Sequence, residues 1–115
     1  MNIIEVITAG DLDLWIYEEQ KRREVEGNVI RRVIVNDPIL SRRCLSRLDL
    51  EIIKGEREGF YSLYFEGLVL LALCRQSAEY MYCLYKNKAG QLVSNWHWMG
   101  YKLNQCYVVP MIKNQ

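Results

Sequence analysis

With 115 residues, half of them apolar and a quarter charged, and a formal net charge of +1, the chain has the size and composition of one globular domain spanning 1–115. That composition excludes a disordered chain, and the charge balance excludes a uniformly basic nucleic-acid binder. Cys44, Cys74, Cys83 and Cys106 lack CxxC spacing and His97 is the sole histidine, so reduced thiols are expected, with no metal site and no cofactor.

Residues 1–7 carry no basic stretch ahead of an apolar one, so no secretory signal is expected. The longest apolar run, 68–74, is about a third of a bilayer span. A cytoplasmic protein without disulfides or membrane contact is the expectation.

In chain order, residues 3–7 read as a short strand. Asp11 or Asp13 then caps a helix reaching about Gly27, because Leu12, Trp15 and Ile16 recur at helical spacing. Residues 29–35 stay open: the apolar pairs fit a helix, the β-branched residues a strand. Asp37 followed by Pro38 marks the start of a helix over 38–54, with Leu40, Cys44, Leu45, Leu48, Ile52 and Ile53 as its apolar stripe. Gly55 is expected to end it in the left-handed conformation.

From 59 onward the pattern changes. The aromatic content predicts a strand over 60–65, then a turn at Glu66 and Gly67. Residues 68–74 are apolar throughout, as in a strand buried on both faces. A strand over 80–86, a hairpin loop over 87–90, a strand over 92–98, a turn at Met99 and Gly100 and a last strand over 101–109 that Pro110 ends complete the reading. One helix over 67–86 is the rival for that stretch.

The predicted fold is α+β: two or three N-terminal helices, within 11–54, packed on one face of an antiparallel β-meander of four to five strands, within 59–109. The strands are apolar on both faces, so something must cover the second face: another subunit, a partner, or segments 1–8 and 28–35. Self-association as a homodimer follows as an expectation.

No catalytic motif emerges. Seven scattered glycines form no phosphate loop, and most acids sit in turns or beside bases. His97 with Cys83 or Cys106 is the only nucleophile and base combination on offer. The suggestive features are basic and aromatic. Lys21, Arg22, Arg23, Arg31, Arg32, Arg42, Arg43 and Arg47 form a candidate partner-binding patch, with Arg42, Arg43 and Arg47 expected in solvent. Tyr61, Tyr80, Tyr82, Tyr85, Trp96, His97 and Trp98 are candidate interface aromatics. The expected function is a small non-enzymatic interaction protein, an adaptor or inhibitor that meets an acidic protein partner. The alternative is a nucleic-acid-binding regulator, with arginines on phosphate and aromatics stacking bases.

Overall fold

A computed structural model describes residues 3–113 and shows an α+β fold. In chain order the elements are β1 (Leu12–Trp15), β2 (Val25–Glu26), α1 (Gly27–Val35), α2 (Pro38–Arg43), α3 (Arg47–Glu56), α4 (Glu58–Tyr64), β3 (Val69–Ala72), β4 (Tyr80–Lys86), β5 (Leu92–Trp98), β6 (Lys102–Leu103) and β7 (Tyr107–Ile112). Single 3-10 turns at Ile3–Glu5, Ala9–Asp11 and Glu18–Lys21 join them. The main sheet has five strands in the order β1-β7-β3-β4-β5, and β2 pairs with β6 in a separate ribbon. Pairing is antiparallel except between β3 and β7, so the sheet is mixed and only β3, β4 and β5 form a meander.

Both faces of this sheet are covered. Leu70, Ala72, Tyr82, Leu84 and Val108 pack with Leu50, Ile53, Tyr61 and Phe65 of the α3 and α4 layer, together with Ile4 and Ile7. The alternate residues Leu71, Met81, Cys83, Val109 and Met111 pack with Ile30 and Ile34 of α1, and Leu40 of α2 joins them. Helices therefore lie on two faces rather than one, which explains strands that are apolar on both sides. Segment 27–35 is the cover of the second face, so the apolar surface from which a homodimer was expected is already used.

Several elements differ from their sequence reading. Residues 3–5 form a 3-10 turn instead of a strand. Asp11 accepts from the Thr8 backbone and hydroxyl and closes a single turn, after which 12–15 runs extended against β7. Free edge hydrogen bonds on β7 thus override helical spacing in 11–27. The predicted 38–54 helix is broken at Cys44 and Leu45, where the Leu45 N–H bonds to the Pro110 carbonyl. Ser46 and Asp49 then cap each other's backbone and restart the chain as α3, so Gly55 lies inside a helix. Residues 58–64 are helical, not extended. Their aromatics meet at helical spacing, Phe60 with Tyr64 at 5.3 Å and Tyr61 with Phe65 at 6.1 Å.

β3, β4 and β5 fall where strands were predicted, Gly67 and Gly90 supply the positive φ of two turns, and no helix crosses 67–86. The single strand expected over 101–109 is instead two, β6 in the separate ribbon and β7 in the main sheet, parted by a turn in which Asn104 accepts from the Cys106 N–H. Pro110 sits within β7 rather than ending it. Asp13 and Met111 are the hydrogen-bonded pair next to it, so the Pro110 nitrogen faces away from β1, where pairing with β3 has already stopped at Val108. The missing N–H therefore costs no hydrogen bond to β1. Among the described residues no helix is long and apolar enough to cross a membrane.

Candidate functional site

The even-numbered residues of β4 and β5 point toward α3, and that helix covers only part of them. Lys54 and Glu51 reach Ser94 and Tyr82, while Arg47, the first residue of α3, stands over Trp96. Past that point the sheet runs on uncovered. Tyr80, Trp96 and Trp98 are 38%, 44% and 47% exposed and form an aromatic corner. The Arg47 guanidinium lies 5.2 Å from the Tyr82 ring centre and 5.3 Å from that of Trp96, an attractive arrangement that leaves its edge free. Among the described residues Arg47 makes no direct ion pair.

Two depressions flank Trp96. One of about 470 Å³ is lined by Cys74, Gln76, Ser77, Tyr80 and Trp96. The other, about 330 Å³, adds Arg47, Leu48 and Arg75 around the same Cys74, Gln76 and Trp96. The loop that forms their shared wall is pinned from the opposite layer. Arg31 Nη2 donates to the Ser77 carbonyl at 2.8 Å, and Arg75 Nη2 donates to the Ser41 carbonyl at 2.9 Å.

Next to this corner lies a polar knot. Tyr82 and Ser94 each have one hydroxyl proton, and both donate to Glu51 Oε1. Their own oxygens are then left in contact at 3.1 Å, and Lys54 Nζ donates to Ser94 Oγ at 3.1 Å. The Tyr82 hydrogen bond, then that of Ser94 and the charges of Lys54 and Arg47, hold the Glu51 carboxyl below its ordinary value against the effect of burial. A carboxylate held down in this way is a poor base for activating Ser94, so the cluster reads as a brace between α3 and β5.

His97 and Cys83 occupy the other face, where they line a cavity of about 250 Å³ with Tyr85, Asn95 and Tyr107. Burial lowers the imidazole and raises the thiol, so both rest neutral. The thiol donates to Asn95 Oδ1 at 3.2 Å, and His97 Nε2 is buried with no hydrogen-bond partner. An activated cysteine needs the reverse, a depressed thiol beside a charged imidazole that a third group orients. Cys106 is exposed in a turn.

The basic residues lie on separate elements. Lys21, Arg22 and Arg23 pair locally with Glu18 and Glu19. Arg31 is spent on the Ser77 carbonyl, while Arg32 and Arg42 are exposed on α1 and α2. Arg43 is half-buried, bonded to Asp13 and to the Ile112 carbonyl, and so does not point to solvent as expected. Arg47 stands on the opposite side of the sheet from α1 and α2. The aromatics divide too. Tyr80, Trp96 and Trp98 share the corner; Tyr82 is buried beneath it; Tyr61 is core, its hydroxyl on the Leu68 carbonyl; Tyr85 and His97 lie on the far face.

Leu48, Arg75, Gln76 and Ser77 were not among the sequence candidates, although Leu48 is 62% exposed beside Arg47. The signal for Leu48 was the Ser46 to Asp49 capping box, which rotates it off the apolar stripe. Among the described residues no group of three or more His, Cys, Asp or Glu side chains is placed to hold a metal ion. Comparison of the chain with protein-family models, curated proteins and solved structures finds no match.

Proposed function

We propose that this chain is a non-enzymatic interaction protein that docks an acidic protein partner on the corner formed by Tyr80, Trp96 and Trp98. The observation that carries this reading is Trp96: a large ring, nearly half exposed, set between two depressions and backed by the unpaired Arg47. Trp, Tyr and Arg supply most of the binding energy at protein interfaces. The pinned loop and the Glu51 knot hold this surface rigid, which lowers the entropy lost on docking. The neutral His97 and Cys83 and the engaged Ser94 support binding over catalysis. The local pairing of Lys21, Arg22 and Arg23 favours a protein partner over nucleic acid, since no continuous basic track results.

The test is affinity capture from source cells with the native chain, Trp96→Ala, Arg47→Ala and, as a control on α4, Leu63→Ala. A protein retained by the native chain and by Leu63→Ala should be lost with Trp96→Ala, whose affinity falls by about 30-fold or more. Arg47→Ala should weaken it about tenfold, with the loss shrinking at high salt. Retention unchanged by both variants, or a captured species that nuclease removes, would overturn the reading.

A further inference from the structure

Resting on that reading, we infer that the partner is held as an extended acidic segment that adds a sixth strand to the sheet along the open edge of β5. Strand order leaves two edges, β1 and β5. β1 is short and blunted: four residues, with Asp13 ion-paired to Arg43 and Lys113. β5 is seven residues long and pairs with β4 in unbroken register from Leu92 to Trp98. It carries no charge, proline or bulge, the devices by which natural edges refuse another strand.

The register fixes which groups are on offer. Met99 N–H bonds to the Glu79 carbonyl and Asn87 N–H to the Gln91 carbonyl, so the odd-numbered residues of β5 exchange hydrogen bonds with β4. The N–H groups of Leu92, Ser94, Trp96 and Trp98 therefore face outward, as do the carbonyls of Leu92, Ser94 and Trp96. The Trp98 carbonyl already accepts from Tyr101 at 3.4 Å. A chain bonded to this row places every second side chain on the α3 side, beside Trp96 and Ser94.

Charge selects the occupant. Arg47 stands over Trp96 and Lys54 on Ser94, and among the described residues neither makes a direct ion pair, although both charges act on the single Glu51 carboxylate. Glu51, the acid between them, is engaged by Tyr82 and Ser94. A second copy paired edge to edge would set these cations against their own counterparts. An acidic strand meets the same cations with opposite charge.

The probe is an end-capped, fluorescent octapeptide of alternating Glu and Val, titrated into the full chain by anisotropy. Companion peptides carry Lys for Glu, or N-methyl groups on one or the other alternate set of amides. The acidic peptide should bind saturably and the Lys version should not. One N-methylated set should retain binding and the other lose it. Saturation should slow amide exchange at Leu92, Ser94, Trp96 and Trp98 by about tenfold or more, and Arg47→Ala with Lys54→Ala should abolish it. Equal binding of both N-methylated sets overturns the inference, because side chains alone then hold the peptide. Absence of peptide binding, with a captured partner still dependent on Trp96, overturns it and leaves the proposed function standing. Slow exchange at those amides in the chain alone, deepening with concentration, overturns it in favour of a second copy.

Discussion

The Trp98 indole lies against Gly100, so that a β-carbon there would stand 2.3 Å from the ring, whereas at Gly27 a β-carbon would meet not only the Met99 Sδ at 2.8 Å but also the Met99 main chain, its carbonyl oxygen at 2.9 Å. A ring at the end of an exposed side chain can swing aside, but a backbone that accepts the Asn28 N–H cannot. Trp98 also meets Tyr101 edge to face at 5.3 Å, so the glycine sets the attitude of one wall of the aromatic corner.

Gly27→Ala should therefore destabilise the fold by about 1–3 kcal/mol, the usual cost of overpacking. Gly100→Ala should cost under about 1 kcal/mol and yet shift tryptophan emission and weaken partner capture. Urea melts of both variants, read beside their fluorescence, check the pair. Equal losses of stability would mean that the Trp98 ring is as fixed as the backbone.

Two groups tie stability to pH in separate windows. Glu51 is lowered from its ordinary 4.5, so its contribution is full above that value and is lost as pH falls through the folded one. Glu51→Gln should flatten part of the acid limb of stability against pH. The rest stays with Asp11 and Glu19, which Thr8 and Arg22 hold down in the same way. His97 is lowered from 6.5 by burial, so the unfolded chain takes up its proton first. Stability should decline as pH falls from 6.5 toward the folded value, and His97→Gln should remove that decline while leaving the acid limb alone. Denaturant midpoints across both windows decide it. An unchanged curve for His97→Gln would place the imidazole in water.

Thiol reactivity should separate the cysteines by environment. Cys106 is exposed, Cys74 and Cys83 are buried, and burial pushes the Cys44 thiol up to about 11. Near neutral pH an aromatic disulfide reagent should titrate one thiol of four quickly in the native protein, and the others only on unfolding. Cys106→Ser should remove the fast phase. A second fast thiol would show that β4, α2 or the loop after β3 opens readily.

The sequence by itself determined the elements whose signals are local. The Asp37 cap, the β4 and β5 hairpin with Gly90, the apolar β3 and the turn at Gly67 each rest on residues within one or two turns of chain. Trp96, Trp98, Tyr80 and Arg47 were among the sequence's wider set of basic and aromatic candidates, chosen by chemistry rather than position. Tertiary structure decided the remainder, because the deciding partner is distant in sequence. Residues 12–15 are extended since β7 offers hydrogen bonds about a hundred residues later. The helix stops at Cys44 since Leu45 bonds to Pro110. The basic residues scatter since α1 and α2 lie on one face of the sheet and α3 on the other, a placement that no local periodicity encodes. Which edge stays open was likewise settled by strand order, the one feature that long-range pairing alone can fix.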